Sequence, residues 1–358
     1  MLQYCRFVMT TLSSSYDGAG GSRSRATMRD VAALAGVSLK TVSRVVNRED
    51  GVSPELMARV SRAADQLDYR PNLTASNLRR ADRRTGTIGL LVEDVANEFF
   101  SAIHRGIEEV ARERGVAVIA ASLDRDPALE RDLVAAFASR RVDGLVLAPT
   151  APEQGYLTNE LRSGWPMVCI DRRPRGVEID SVVTDNREAA AAGVEHLIEQ
   201  GHRRIGFIGG QAMLSTEQAR FAGYVDAMAR AGVVVRPEWV HHGAANSEEA
   251  KAAALTLLDQ DPAPSAIFSG QNLITMGTVR ALRERGLARR VALVGFDDFV
   301  LADLLEPAIT VVAQDARAIG HLAAELLFQR VDGVDEPMRT HVVPSHLVLR
   351  GSGEIPPE

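Results

Sequence analysis

Two lysines, Lys40 and Lys251, and two cysteines, Cys5 and Cys169, stand in a chain of 358 residues. Two cysteines, one near the N-terminus and one in an apolar run, make no disulfide framework, which points to a reducing cytoplasm. No apolar stretch approaches the ~18 residues of a membrane helix. The first 26 residues hold no sustained apolar segment of the kind a secretory signal needs. Catalytic signatures are scarce as well. Gly206–Gly210 reads GFIGG, without the GxGxxG spacing or a Walker lysine. No Ser/His/Asp or Cys/His arrangement stands out, and the adjacent His241 and His242 read as solvated loop residues rather than metal ligands. The expectation is a protein that is not an enzyme, with no catalytic residue, metal or cofactor.

What is present is ordinary in amount and uneven in placement. Hydrophobic residues make up 46% and charged residues 25%, the balance of a soluble globular protein. The net charge of −6 hides an asymmetry. The first 85 residues carry 14 Arg or Lys against 8 Asp or Glu, and the remainder 27 against 39. A basic N-terminal module before an acidic body suggests that one part meets phosphate and the other does not.

Within the basic module, Thr27 to Asn47 reads TMRDVAALAGVSLKTVSRVVN. Thr27 can cap a helix whose positive end suits Asp30, with Val31, Leu34 and Ala35 turned inward. Gly36 stands where the chain must turn. Ser38 can cap a second helix, Leu39 to Asn47. Val42, Val45 and Val46 form its apolar stripe, and Lys40, Thr41, Ser43 and Arg44 its outer face. This is the pattern of a helix-turn-helix whose second helix enters the DNA major groove. Ser53–Pro54 opens a third helix, with Met57, Val60, Ala64 and Leu67 at helical spacing. Asn72 to Arg80 is too short to hold a helix alone in water.

From Thr87 onward, apolar strand-like runs alternate with amphipathic helices over about 250 residues. That is the signature of parallel βαβ units, and the length favours two lobes. Ligands in such folds bind beyond the carboxyl ends of the strands.

Several motifs stand in a familiar order: DVAALAGVS–KTVSRVVN, LDYRPN, TIGLLVEDVANEFF, RRVDGLVL, GWPMVCIDR, EHLIEQGHRRIGFIGG, ARFAGY, ALVGFDDF and LVLRGSG. From about Thr27 to Gly353 the chain resembles the lactose/galactose-repressor (LacI) family of transcription regulators. The resemblance implies an all-α helix-turn-helix DNA-binding head. It also implies an α/β two-lobed, periplasmic-binding-protein-like body of parallel sheets with Rossmann-like lobes. The expected division is a disordered tail over 1–26, the head over 27–71, a hinge helix and linker over 72–85, and the body over 86–350. In the body, lobe 1 takes 86–184 and 315–343, and lobe 2 takes 185–313 and the C-terminal strand. Residues 351–358 are expected to be a short tail, which favours a homodimer over a tetramer.

By the same resemblance, Leu39, Lys40, Ser43 and Arg44 meet base edges, and Thr27, Thr41 and Asn47 meet phosphates. The hinge positions Asn72, Ala75 and Leu78 carry over to the minor groove, where Leu78 would wedge a central base step. The implied partners are palindromic operator duplex DNA, a second copy of the chain and a small-molecule effector, with no membrane. A sugar-like effector would sit between the lobes against Asn97, Phe100, Asp171, Arg220, Gln271, Asp297 and Gln314. Departures from the family pattern at Asn97–Glu98 and Gln271–Asn272 leave the effector's identity open. The implied function is allosteric control of operator affinity, with repression as the default. Control by a phosphocarrier protein or a purine-like corepressor is the alternative, and a solute-binding protein a remote one.

Overall fold

The computed structural model describes residues 26–46, 51–69 and 84–358. The chain divides into two compact units, Met1–Arg83 and Arg84–Glu358.

The described residues of the first unit are helical. Helix α1 (Met28–Ala35) opens with a capping box. Asp30 Oδ2 accepts from Thr27 N at 2.8 Å and from Thr27 Oγ1 at 2.7 Å, while the Thr27 oxygen faces Asp30 N. It ends at Gly36, whose φ of 63° lies in the left-handed region that glycine enters without penalty. Helix α2 (Leu39–Val46) follows directly, and α3 (Pro54–Gln66) starts behind the Ser53 cap. Arg59 of α3 clamps the turn by donating to the carbonyls of Ala35 at 2.6 Å and Gly36 at 3.2 Å. The core is built of small side chains: Val31, Ala32, Ala35, Val42, Val60 and Ala63. Leu34 and Met57, expected inside, are 46% and 41% exposed. Three short helices crossing closely leave room for alanine at the contact, and Ala32 and Ala63 take it.

The second unit contains two parallel-rich sheets. Lobe 1 orders its strands β11-β5-β4-β3-β1-β2, every neighbouring pair parallel. They are β1 (Thr87–Val92), β2 (Ala117–Ser122), β3 (Leu145–Leu147), β4 (Met167–Ile170), β5 (Asp180–Thr184) and β11 (Thr340–Val343). Helices α4 (Glu98–Glu113) and α11 (Ala316–Val331) cover one face, packing on Ile88, Leu90 and Val92. Helix α5 (Pro127–Ser139) covers the other, over Leu91 and Leu145, with the short α6 (Thr158–Arg162) nearby in sequence. Burial on both faces explains why β1 reads as an unbroken apolar run.

Lobe 2 repeats the plan as β12-β10-β9-β8-β6-β7, with only the β10–β12 pair antiparallel. Its strands are β6 (Ile205–Ile208), β7 (Val240–His241), β8 (Ala266–Ser269), β9 (Ala292–Phe296), β10 (Thr310–Ala313) and β12 (His346–Val348). Helices α7 (Asn186–Glu199) and α8 (Ser215–Arg230) lie on one face, and α9 (Ser247–Leu258) and α10 (Asn272–Glu284) on the other. The chain crosses between lobes after β5, after β10, and between β11 and β12. Two crossings are stitched together: Thr184 Oγ1 donates to the Val343 carbonyl at 2.8 Å, and Asp185 accepts from Ser345 N at 2.9 Å.

Both ends of the expected body shift. It begins at Arg84, because Arg84 binds Asp332 at 2.8 Å and Asp143 accepts from Gly86 N at 2.7 Å. The expected tail at 351–358 is instead packed on lobe 2 through Glu354 and Ile355. Ser352 is buried, donating to the Leu293 carbonyl at 2.6 Å and accepting from Thr310 N at 2.9 Å, so it bridges β9 and β10. Glu354 meets His196 at 2.6 Å, and the Ile355 carbonyl meets His202 at 2.8 Å.

Helices α4 and α11 cross at Gly106 and Gly320. A Cβ on Gly106 would collide with the Arg317 carbonyl, and one on Gly320 with the Ile103 carbonyl. Gly106→Ala should therefore overpack lobe 1 and cost about 1–3 kcal/mol, read by equilibrium urea denaturation. An unchanged midpoint would show that the crossing has slack.

Candidate nucleic-acid interface and ligand cleft

In the helical unit, Leu39 and Lys40 are exposed at the first turn of α2, and Thr41, Ser43 and Arg44 are half-buried. Thr41 is committed to the cap. Its hydroxyl lies 2.9 Å from Ser38 Oγ, which also accepts from Thr41 N at 3.1 Å. Thr27 is committed to the α1 capping box in the same way. The two threonines thus hold helix ends rather than present free hydroxyls on the outer face. The Arg44 guanidinium lies against Gly51, where an added Cβ would stand 3.2 Å from it. Asn47, Asn72, Ala75 and Leu78 lie outside the described residues.

The cleft between the lobes is lined from both sides. Asp171 follows β4 in lobe 1, and Asp297 follows β9 in lobe 2. The two strands hold equivalent places in their sheets. Each aspartate extends its sheet by one backbone bond, to Val182 and Val312 respectively. Each then turns with a left-handed φ, 65° and 67°. Aspartate tolerates that region better than bulkier residues, and such conformations gather at functional sites. Both side chains are buried.

Glu93, at the end of β1, organises the lobe 1 wall. Its two oxygens accept from Arg125 Nε at 2.6 Å and Arg172 Nη2 at 2.7 Å. Burial pushes its carboxyl upward, but Arg172 and Arg125 outweigh that and hold it below the usual glutamate range. Asp171 goes the other way. Burial raises it, and the pull of Arg172 and Arg220 does not restore the ordinary value. Glu217 and Asp297 are likewise raised by burial, against Arg220 in both cases. On the lobe 2 wall, Arg220 donates to Asn186 Oδ1 at 2.7 Å and the Gly270 carbonyl at 2.8 Å. Its guanidinium lies 3.9 Å from the Phe296 ring centre.

Of the residues expected to line the cleft, Phe100, Asp171, Arg220, Gln271 and Asp297 do so. Phe100 shows an edge there while its body packs in the lobe 1 core, 5.1 Å from Phe99. Asn97 and Gln314 are not in the lining and stand one layer back. Asn97 caps α4 and exchanges amide bonds with Asn272 across the lobes, at 3.3 and 3.2 Å. Gln314 donates to Asp297 Oδ1 at 2.6 Å. Two further bonds join the lobes. Arg125 donates to the Ala245 carbonyl at 3.0 Å, and Glu98 accepts from Val300 N at 2.6 Å.

Residues 27–72 match the model for bacterial regulatory proteins of the lacI family, and residues 194–353 match a periplasmic binding protein-like domain. The chain is 31% identical over 330 residues to the HTH-type transcriptional repressor PurR of Photobacterium profundum, covering 91% of this chain and 98% of that one. It is 32% identical over 329 residues to the HTH-type transcriptional repressor CytR of Escherichia coli (strain K12), covering 91% and 96%. It belongs to the LacI family.

Two solved structures fit this LacI-family chain over 92% of its length. One is a complex of the transcriptional regulator CelR with cellobiose, at 33% identity and TM-score 0.68, over 100% of that chain. The other is a lac repressor dimer bound to operator and the anti-inducer ONPF, at 25% identity and TM-score 0.80, over 99% of that chain. A LacI-family protein is a DNA-binding transcription regulator, and PurR and CytR are transcriptional repressors.

The sequence reading of this family member passed over Glu93, Arg125, Arg172 and Glu217. Arg172 follows Asp171 directly in the IDRR segment, and Glu93 directly follows β1, so each stood at a strand's carboxyl end where ligands gather. Arg125 and Glu217 carry no such mark, since only the fold brings them in.

Glu93→Gln leaves two buried guanidiniums with one fewer charge between them and should cost about 3–5 kcal/mol near neutral pH. The native ion pairs are lost as pH falls through the depressed Glu93 range, so the difference between variant and native protein should shrink in acid. Denaturation at two pH values checks both. A loss that stayed constant into acid would contradict the assignment.

Proposed function

We propose that this LacI-family regulator is a repressor that binds a two-half-site operator as a homodimer, and that a small polar effector closing the interlobe cleft sets its operator affinity. The observation that carries this is the cleft. Buried carboxylates from equivalent strand ends of both lobes face one cavity, beside three chain crossings that allow the lobes to turn against each other. A ligand held by both walls favours one placement of the lobes, and only such a difference in affinity shifts an equilibrium. The coupling is reciprocal and in typical cases about 1–3 kcal/mol.

In this reading the readers on the head are Leu39, Lys40, Ser43 and Arg44, with Arg44 suited to bidentate pairing with guanine and Lys40 to its O6 or N7. Asn47 meets phosphate, and Thr27 and Thr41 shape the helices that do so. Leu78, supported by Asn72 and Ala75, wedges the central step in the minor groove. In the cleft the effector meets Asp171, Arg220, Asp297, Gln271 and Phe100, with Asn97 and Gln314 holding the walls. The protein works in the bacterial cytoplasm.

Selection of bound molecules from pooled random duplexes, with and without metabolite extract, tests the whole reading. The expected result is a palindrome of two half-sites whose recovery changes with extract. No enrichment under either condition would reject it. On the operator so obtained, Arg44→Ala should relax preference at one base in each half-site, a loss of about 1–3 kcal/mol per half-site. A uniform loss across all sequences would move Arg44 from base reading to phosphate contact.

A further inference from the structure

The chain enters the body at Arg84, and two carboxylates fasten it there. Asp143, in the turn before β3, accepts from Thr85 Oγ1 at 2.9 Å and from Gly86 N at 2.7 Å, which sets the backbone at the start of β1. One residue earlier the fastening passes to a side chain. Arg84 donates to Asp332 Oδ1 at 2.8 Å and to the Val331 carbonyl at 2.6 Å, both at the C-terminal end of α11. The second oxygen of Asp332 accepts from Arg114 at 3.0 Å. Arg114 closes α4, and its guanidinium lies 4.6 Å from the Phe328 ring centre of α11.

Asp332 stands where a carboxylate is disfavoured. The C-terminal end of a helix carries partial negative charge and prefers cations. Asp332 caps α11, with its N–H bonded to the Phe328 carbonyl at 2.8 Å, so its charge is set against that end. The bond from Arg84, and after it the bond from Arg114, hold its carboxyl below the usual aspartate range. Arg84 also satisfies one of the carbonyls that the last helical turn leaves open. The three side chains are 42–44% exposed, and ion pairs so exposed add little to folding. What the pairing supplies is a fixed direction for the chain at Arg84.

Helix α11 carries that direction into lobe 1. Ile319, Ala323, Ala324 and Leu327 are buried in the lobe 1 core, and Glu109 of α4 binds Arg317 at 2.6 Å and His321 at 2.8 Å. The N-terminal end of α11 follows directly on the crossing after β10, where Gln314 donates to Asp297 at the cleft. Arg84 is therefore fixed in the frame of lobe 1. It sits at the far end of a 16-residue helix, about 24 Å long, from one of the crossings about which the lobes turn.

We infer that Asp332 is a positioning residue for DNA binding: through Arg84 it ties the chain between head and body to lobe 1, so that a turn of lobe 1 reaches the DNA-contacting segment instead of being absorbed by a loose linker. The inference rests on the proposed control of operator affinity by the placement of the lobes.

Fluorescence anisotropy of the full chain, on the selected operator and on a random duplex of equal length, tests this with and without metabolite extract. The readout is the ratio of the two affinities in whichever condition binds operator more tightly. Asp332→Asn removes a negative charge, so electrostatics alone would raise affinity for both duplexes. A loosened linker must instead be ordered on the operator, at a cost in affinity there. The ratio should fall by roughly fivefold or more, as at the lower end of typical coupling, with Tm close to native. The change that extract makes to operator affinity should shrink in the same variant. Arg84→Gln should lower the ratio alike, and the double variant no further, because both break one joint. A ratio unchanged or raised in Asp332→Asn overturns the joint and leaves lobe control standing. Additive losses in the double variant also overturn it, since the two residues then act separately. A native chain whose operator affinity ignores extract rejects lobe control itself, and the joint with it.

Discussion

One carboxylate fixes the geometry of the cleft. Glu93 directly follows β1, an interior strand of lobe 1, and divides its two oxygens between Arg125 and Arg172. The first arginine reaches the other lobe through the Ala245 carbonyl, and the second lies beside Asp171. A buried charge is tolerated only when it is matched and hydrogen-bonded, so neither arginine can swing away without exposing the others to an uncompensated partner. The position of the lobe 1 wall and its reach toward lobe 2 therefore depend on the same group. The two lobes are further joined by the Asn97–Asn272 pair and by Glu98, a residue the family pattern did not anticipate there.

Asp171 and Asp297 show how the duplicated architecture makes a site. Each is the first residue past an equivalent strand, and each is bent out of the sheet by a left-handed backbone. Neither lobe alone offers more than half of the arrangement. Burial raises both, with added repulsion from Glu93 and Asp297 on Asp171 and from Glu93 on Asp297. The arginines lower both against burial.

The sequence made much of this legible, and its failures have physical causes. The helix-turn-helix was readable because caps, a turn glycine and valine spacing are local signals. The strands β1, β4, β6 and β8 were readable because central parallel strands are apolar on both faces. Helix α11 was not, since ARAIGHLAAELLFQRV carries apolar residues around most of its circumference and shows little periodicity. Edge strand β11 alternates exposure and β12 has only three residues, so their runs are short and mixed. In the cleft, residues at strand ends could be placed from sequence. Asn97 and Gln314 were put one layer too close, since adjacency in the chain does not reveal which of two polar residues turns inward. Leu34 and Met57 went the same way in the head, where crossing distance rather than hydrophobicity chose the alanines.

The threading of the chain sets an order of assembly on the ribosome. The head's core is complete within Met28–Tyr69, so it can fold as soon as those residues emerge. Lobe 1 begins next but lacks α11 and β11, which are made only after lobe 2 has received all but its last strand. Lobe 2 in turn waits for β12 and for Ser352, which ties β9 to β10. Domains usually fold one after another during synthesis. Here both lobes stay unfinished until almost the last residue, while a finished DNA reader already leads the nascent chain.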